Sequence, residues 1–251
     1  RKAFGSFKKF LAIFGGKKKR GAYEFKTNGP DGLDLKPARD ALAKVMLRKR
    51  RREVYPEMPS KNYKIIPVEI VASDVVENAE RAWKLLGATT LPPQHELSAA
   101  RRELAEAKIN AMLEEVGRHE DAKLPLLVFS AHRAPVEALS RRQGWAIING
   151  DTSPKDRHEL VSKFQAGELL GLGITIKAGA YGLKLTRAND VLFCDLEYLP
   201  STNEQAEDRP ISIEDKTKVL NVSHLVADHP LERRMFEILS AKTALSDAVV
   251  G

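Results

Sequence analysis

The residues best suited to chemistry lie between Gly171 and Asp215. An apolar strand is predicted for Gly171–Ile176, and a turn of small residues, Ala178–Gly182, follows it. A strand that ends in a glycine-containing turn is a common way for α/β proteins to direct backbone N–H groups towards a phosphate. Arg209 belongs to a helix that we expect to face the same edge, where a guanidinium suits a developing phosphoryl charge. This stretch therefore predicts a phosphate-handling site.

Residues 124–251 alternate between short apolar strands and helices, which predicts a parallel sheet with helices on both faces. Right-handed crossovers gather the loops that follow the strands at one edge. Besides the strand named above, the predicted strands are 124–130, 145–150, 191–196 and 219–227, and the predicted helices are 135–143, 154–168, 201–208 and 230–245. The loops expected at the ligand edge are 130–133, 149–153, 177–182 and 197–203.

The chain before residue 124 is interpreted as a basic segment followed by a strand and helices. Tyr63–Ala72 is predicted to be a strand, and Pro67, which cannot donate to a sheet ladder, indicates either an edge position or a bulge. Four phenylalanines at helical spacing predict an amphipathic helix within residues 4–14, and 15–32 is interpreted as a flexible loop. Further helices are predicted over 37–52, 74–86 and 96–116, the last with room for one break. The predicted divisions are 1–60, 61–118 and 119–251.

The net charge of +7 is unevenly spread along the chain. Residues 1–64 hold 19 Lys and Arg against 6 Asp and Glu, whereas the remainder holds 22 against 28. A basic arm on a mildly acidic body indicates a polyanionic partner, most often nucleic acid. The alternative is a solvated helical face that serves solubility.

Composition excludes several other classes of protein. A single cysteine, Cys194, excludes an internal disulfide and fits a reducing compartment, so a cytoplasmic protein is expected, associated with the nucleoid if the source is prokaryotic. His224 and His229 lie close together without a cysteine pair, which disfavours a zinc site. No apolar run is long enough to span a bilayer, so no membrane partner is expected. Because the chain opens on Arg rather than Met, we expect it to be part of a longer protein.

In chain order, several stretches resemble the motifs of the second motor lobe of Swi/Snf-type superfamily-two helicases. Val128–Ser130 stands where motif IV lies, Thr175–Leu185 resembles motif V, and Gln205–Arg209 resembles motif VI. The other similar stretches are the family's G-T-S…R…F pattern, the segment leading out of the first lobe, and the segment before the second lobe in the compact annealing-helicase branch; here they are 149–164, 45–61 and 97–112. The resemblance thus covers almost the whole chain.

The resemblance implies a RecA-like α/β lobe, preceded by a basic helical segment, that works with an N-terminal RecA-like lobe of the same protein on duplex DNA. ATP and Mg²⁺ are then held mainly by that first lobe, since this chain lacks the G-x-x-x-x-G-K-[ST] loop. We therefore expect that the chain alone neither binds ATP tightly nor hydrolyses it.

Individual roles follow from the matched motifs. Arg209 is the expected arginine finger for the γ-phosphate, and Gly182 and Gln205 are expected on the nucleotide side. The residues expected to contact phosphates of one DNA strand are Ser130, His132, Arg133, Gly150, Lys177 and Gly179. Each has a structural alternative: an arginine paired with Glu207 or Asp208, a turn glycine, a capping histidine or a surface polar group.

The chain departs from the family pattern in motif VI. Ser212 occupies the place of the second arginine, and a hydroxyl cannot replace a planar cation for bidentate phosphate contact. Glu214 and Asp215 add negative charge near the expected γ-phosphate position, and Tyr198 stands where the family has Trp. The alternative is therefore a degenerate, non-catalytic lobe that binds DNA or protein. A lobe of an RNA helicase is disfavoured by the form of motif VI.

Overall fold

The computed structural model describes residues 8, 17–19, 22–24, 36–44, 58–86, 94–179, 182–212, 215 and 218–250. The chain divides into two compact units, one formed by Met58–Arg234 and the other by Arg1–Glu57 with Met235–Gly251. The two units are described separately.

The described residues contain strands and helices in the following order. The strands are β1 (Lys17–Lys19), β2 (Ala22–Glu24), β3 (Ser60–Val68), β4 (Leu126–Ser130), β5 (Trp145–Ile148), β6 (Gly171–Thr175), β7 (Asp190–Phe193) and β8 (Val219–Ala227). The helices are α1 (Lys36–Ala43), α2 (Asp74–Leu86), α3 (Gln94–Ala107), α4 (Ile109–Asp121), α5 (Arg133–Glu137), α6 (Pro154–Ala166), α7 (Ile176–Gly179), α8 (Pro200–Glu207) and α9 (Pro230–Val250).

Strands β3 to β8 form one all-parallel sheet in the order β3-β8-β7-β4-β6-β5. Consecutive residues of β4 belong to two different apolar clusters: Leu127 and Phe129 to one, Leu126 and Val128 to the other. Because side chains alternate across a strand, apolar groups cover both faces of the sheet. The prediction of an α/β fold with a covered parallel sheet is therefore confirmed.

Edge strand β3 joins the sheet through β8 alone among the described residues. The edge position indicated by Pro67 is thus observed. At a free edge, the missing N–H of a proline breaks no hydrogen bond between strands. The strand therefore extends the sheet that carries the predicted motor motifs. Helix α2 has the predicted bounds, whereas α5 is shorter than predicted and gives way to turns after Glu137.

The long helix predicted over 96–116 is divided at Lys108, between α3 and α4. The Lys108 side chain is fully buried, donates a hydrogen bond to the carbonyl of Leu225 at 3.2 Å and forms an ion pair with Glu232. A buried ammonium group requires such partners. Lys108 therefore ties the junction of the two helices to β8 and to the start of α9.

Close packing determines the residue type at Gly171, the first residue of β6. The Trp145 ring lies over this glycine, and a Cβ atom at residue 171 would stand 2.3 Å from the ring. Trp145 is held in place by its indole N–H, which donates to Glu120 Oε1 at 2.8 Å. Only glycine fits beneath the ring.

A row of four rings crosses the sheet from its centre towards β3. Ring centroids are 5.4 Å apart between Phe129 and Phe193, 5.1 Å between Phe193 and His224, and 6.3 Å between His224 and Tyr63. The rings are stacked, a favourable arrangement for aromatic pairs. The row joins β4, β7, β8 and β3 and stabilises the outer strands against the core.

In the other unit, β1 and β2 form an antiparallel pair in which Lys19 is opposite Ala22. The prediction of a loop throughout 15–32 is therefore wrong, because residues 17–19 and 22–24 form paired strands. Helix α1 begins the helix predicted over 37–52, whose residues after 44 lie outside the described part. Apart from Lys8, which is helical, the amphipathic helix predicted within 4–14 also lies outside it. No described helix is long and apolar enough to cross a membrane.

Candidate nucleic-acid interface

The loops that follow β7, β4, β6 and β5 meet at the carboxyl edge of the sheet, because these strands are neighbours and run parallel. The last residues of β4 and β6, Ser130 and Thr175, are directly paired. All six predicted DNA-contacting residues follow or end these strands: Ser130, His132, Arg133, Gly150, Lys177 and Gly179. Loops after parallel strands are the usual ligand-binding part of open α/β sheets.

Asp195, which follows β7, is the centre of this edge. Its carboxylate accepts hydrogen bonds from the Ser130 hydroxyl, from the backbone N–H of Ala131 at 3.1 Å and from His132 Nδ1. Burial raises the pKa of Asp195, but the hydrogen bond and charge of His132, with the nearby Lys108 charge, outweigh burial and leave the pKa below its ordinary value. The carboxylate is therefore ionised at neutral pH and organises the loop after β4.

Sequence reasoning did not identify Asp195. The available signal was an acidic residue directly after the apolar strand VLFC, beside another strand that ends in Ser130. Strand order decides whether such residues meet, and the order β7-β4 became visible only in the sheet.

Ser130 and His132 have different positions within this loop. Ser130 is fully buried and its oxygen also accepts the N–H of His132 at 3.0 Å, so it holds the loop from inside instead of facing outwards. His132 stands at the N-cap of α5, yet its side chain makes no capping hydrogen bond. Its ring keeps 19% exposure and is oriented by Asp195.

Arg133 and Lys177 provide the outward-facing positive charge. The Arg133 guanidinium, 56% exposed, contacts Asp151 at 2.6 Å and Glu137 at 3.0 Å. The Lys177 ammonium, 79% exposed, lies 3.3 Å from Glu197. The pair of Arg133 and Asp151 is exposed on both sides, and exposed ion pairs contribute little free energy, so Arg133 can exchange this carboxylate for a phosphate at small cost. Glu197 is only 13% exposed, whereas the ammonium of Lys177 remains accessible to a second anion.

The loop after β5 is held by its own side chains. Asn149 Oδ1 accepts the N–H of Asp151 at 3.0 Å, and the N–H of Asn149 donates to Thr152 Oγ1 at 3.0 Å. Ser153 caps α6 by accepting the N–H of Asp156 at 3.1 Å, and Pro154 follows at the first helical turn. Gly150 is exposed at the loop, next to the positive end of the α6 dipole.

The loop after β7 is held by α3. Arg101 donates to the carbonyl of Leu196, and its guanidinium lies 4.1 Å from the centre of the Tyr198 ring. Tyr198, the residue in place of the family's Trp, therefore packs against a cation from another element. Arg101 is a second residue that sequence reasoning missed.

Arg209 does not lie at this carboxyl edge, and the expectation that its helix faces there needs correction. Glu207 and Asp208, the residues just before Arg209, both bind the Lys61 ammonium, at 2.9 Å each. Lys61 is the second residue of β3 and therefore lies near the amino end of that strand. Helix α8 thus begins after the carboxyl end of β7 and carries Arg209 towards the opposite edge of the sheet.

The segment after Gly182 and the segment that contains Arg209 lie side by side. The N–H of Leu185 donates to the carbonyl of Arg209 at 3.1 Å. The buried Lys218 ammonium donates to the carbonyls of Thr186 at 2.7 Å and of Pro210 at 3.0 Å, and burial lowers the pKa of Lys218. Gly182 has a φ of +59°, a left-handed conformation that favours glycine.

Gln205, the remaining residue predicted for the nucleotide side, is exposed on α8. Of the residues that depart from the motif VI pattern, Ser212 is half-buried and Asp215 is exposed, whereas Glu214 lies outside the described residues. The structure therefore separates the candidates into a group at the carboxyl edge, which holds the residues predicted to contact DNA, and a second group around Gly182 and Arg209.

The comparisons with known proteins show similarity to helicases. Residues 107–214 match the helicase conserved C-terminal domain. The chain is 27% identical over 213 residues to a SWI/SNF-related matrix-associated actin-dependent regulator of chromatin subfamily A-like protein 1 from Xenopus tropicalis, covering 79% of this chain and 22% of that protein. It is 25% identical over 232 residues to the human DNA annealing helicase and endonuclease ZRANB3, covering 87% of this chain and 21% of that protein.

This chain therefore spans about a fifth of the length of these relatives. Among solved structures, the C-terminal part of the Fun30 ATPase domain matches with a TM-score of 0.56 at 14% identity, over 77% of this chain and 99% of that one. That likeness shows the shared fold. Together these findings show that residues 107–214 match a helicase conserved C-terminal domain and that the chain is similar in sequence to SWI/SNF-related and other helicase proteins.

Proposed function

We propose that this chain is the second motor lobe of a DNA-dependent ATPase that translocates on duplex DNA. The names of its relatives, which include a DNA annealing helicase and an ATP-dependent helicase/translocase, support this proposal. In the proposed motor, ATP and Mg²⁺ are held mainly by an N-terminal RecA-like lobe. This lobe supplies Arg209 and half of the path for DNA, and alternate closing and opening of the two lobes advances one strand.

The observation that carries the proposal is the carboxyl edge, where Arg133 and Lys177 project from the loops after two adjacent strands, β4 and β6. The Asp151 carboxylate can be replaced by a phosphate, and the Lys177 ammonium remains accessible to a second anion beside Glu197. Backbone phosphates are present in every sequence, so contacts of this kind suit a protein that moves along DNA.

For the nucleotide, we assign Arg209 as an arginine finger that contacts the γ-phosphate, and Gly182 and Gln205 as further nucleotide-binding residues. The hydrogen bond between Leu185 and Arg209 supports a common function for these two segments. Such a finger increases the rate of hydrolysis roughly 10³-fold or more.

Binding of a fluorescent DNA duplex as a function of salt tests the DNA-contacting part. The double variant Arg133→Ala/Lys177→Ala should bind about tenfold or more weakly, with the slope of log K against log salt reduced by about 2, because two phosphate contacts are lost. A matched variant, Lys84→Ala/Arg102→Ala, removes the same charge from exposed residues of α2 and α3.

The control variant should bind like the unchanged chain, and an RNA duplex should bind more weakly than DNA. Equal loss of binding in the two double variants would show that only total charge matters and would contradict the assignment of the carboxyl edge. A preference for RNA would contradict the choice of DNA.

A degenerate lobe that binds without supporting hydrolysis is the second candidate. It is favoured by Ser212, which stands where the resembled pattern has a second arginine. The two candidates share the DNA interface and differ in the ATPase activity of the longer protein.

A further inference from the structure

The two acids that precede Arg209 are bound by the edge strand β3. The Lys61 ammonium lies 2.9 Å from Glu207 Oε2 and 2.9 Å from Asp208 Oδ1. The Tyr63 hydroxyl donates to the same Glu207 oxygen at 3.0 Å. Because Lys61 and Tyr63 are two residues apart on a strand, their side chains leave the same face of the sheet. One face of β3 therefore holds the end of α8.

This cluster is largely withdrawn from water. The exposed fractions of the charged side chains are 13% for Lys61, 10% for Glu207 and 16% for Asp208. Burial lowers the pKa of Lys61, but the charges and hydrogen bonds of the two carboxylates outweigh burial and leave that pKa above its ordinary value. Burial and the Glu207 charge raise the pKa of Tyr63, so its hydroxyl stays protonated and can donate. An ion pair of such low exposure is unfavourable to break from one side, because the remaining charge loses its partner.

The backbone of Arg209 is joined to the structure on both sides of the residue. Its N–H donates to the carbonyl of Ala206 at 3.2 Å, and its carbonyl accepts the N–H of Leu185 at 3.1 Å. The first of these bonds makes the position of Arg209 depend on the end of α8. The end of α8 depends in turn on Lys61, which binds the two residues in between.

We propose that Lys61 is a positioning residue for Arg209. It fixes the end of α8 through Glu207 and Asp208, and its charge offsets two carboxylates that directly precede the arginine finger. Offsetting them favours the approach of the anionic γ-phosphate, which the same carboxylates repel. In this assignment Lys61 contacts neither ATP nor DNA and acts only through Arg209. The inference rests on the proposed function of Arg209.

DNA-stimulated ATP hydrolysis by the longer protein, which includes the first lobe, measures this role. Lys61→Met should lower kcat about 10- to 100-fold, because a reacting group displaced by about 1 Å loses much of its effect. The KM for ATP and the affinity for duplex DNA should change less than about twofold, since the finger acts in the transition state. Lys61→Arg keeps the charge and should keep about a third of kcat or more.

The matched control is Lys64→Met. Lys64 is an exposed lysine of the same strand, and its odd spacing from Lys61 places it on the opposite face. This variant loses the same charge from β3 and should keep the original kcat.

A double-mutant cycle separates positioning from a general loss of structure. Arg209→Ala alone should lower kcat about 10³-fold or more. Adding Lys61→Met to that variant should cause no further loss, because a residue that acts only through Arg209 has no effect without it. If Lys61→Met does not fold, Tyr63→Phe removes only the hydroxyl bound to Glu207 and should lower kcat about threefold, again only when Arg209 is present.

An unchanged kcat in Lys61→Met, or in Tyr63→Phe where the first variant does not fold, would overturn the positioning role and leave Arg209 as the finger. An equal fractional loss with and without Arg209 would have the same meaning. An unchanged kcat in Arg209→Ala, or no DNA-stimulated hydrolysis by the unchanged longer protein, would instead overturn the proposed function of Arg209, and the positioning role with it.

Discussion

At the scale of single residues, the carboxyl edge depends on one buried acid. Asp195 accepts three donors from Ser130, Ala131 and His132, so the loop after β4 has little freedom. Buried polar networks stabilise a structure only when every member is satisfied. Arg133, whose charged group is exposed, therefore follows a loop whose buried polar groups are hydrogen-bonded to Asp195.

Gly171 provides the clearest test of packing at this scale. Gly171→Ala should lower the free energy of unfolding by about 1–3 kcal/mol, because the new Cβ atom would stand 2.3 Å from the Trp145 ring and must displace it. Urea denaturation of the whole chain followed by tryptophan fluorescence measures the change.

The matched control is Gly117→Ala on α4. A Cβ atom at this residue would have no neighbour within 4 Å, and alanine favours helix, so stability should rise by about 0.5–1 kcal/mol. Equal effects of the two substitutions would contradict the packing argument.

At the scale of elements, the junction of α3 and α4 is held by the ion pair of Lys108 and Glu232. Glu232 also accepts the backbone N–H of Ala227, the last residue of β8. One carboxylate therefore connects the helix junction, the end of a strand and the start of α9. Because both charges are buried, the pair is more costly to break than to replace.

Lys108→Met should destabilise the fold by about 3–5 kcal/mol, because it leaves the Glu232 carboxylate buried without its cation. The double variant Lys108→Met/Glu232→Gln should recover much of that loss, since Gln can still accept from Ala227. Thermal unfolding of both variants measures the difference. A double variant that is less stable than the single one would show that the pair itself contributes the stability.

The regular alternation of strands and helices made the sheet predictable from sequence. A continuous apolar run marked β4, and Pro67 marked the edge strand, because each pattern has a single physical cause. The hairpin of β1 and β2 was missed, since lysine-rich strands lack the apolar alternation by which strands are recognised.

The candidate site was less predictable than the fold. The loops of the carboxyl edge followed from strand polarity, yet the inward position of Ser130 and the central role of Asp195 depend on strand order. The position of Arg209 depends on the length and direction of α8, which the motif alone does not determine. The motifs therefore identified the candidate residues along the chain but did not predict how those residues are arranged in space.

At the scale of the whole molecule, the proposed function places two sites on different sides of the sheet. Cations at the carboxyl edge face the proposed DNA path, whereas Arg209 lies beyond the far end of α8. Neither side contains a complete nucleotide site among the described residues. A lobe of this form is expected to depend on a partner lobe for hydrolysis.

The purified chain should therefore show no DNA-stimulated phosphate release, whereas a longer protein that includes the first lobe should hydrolyse ATP. In that longer protein, Ser212→Arg should increase DNA-stimulated hydrolysis if the motor works with a single arginine finger. Rapid hydrolysis by the chain alone would contradict the proposed division of labour. No hydrolysis by the longer protein, with or without the substitution, would favour the non-catalytic alternative.

In the proposed motor, Lys218 would have a mechanical consequence. Its ammonium group binds the carbonyl of Thr186, on the segment after Gly182, and the carbonyl of Pro210, on the segment that contains Arg209. If one segment shifted alone, the buried cation would lose a carbonyl, at a cost of about 1–3 kcal/mol. The two segments are therefore expected to move together, so that a displacement of Arg209 would be transmitted to the segment that follows the left-handed turn at Gly182.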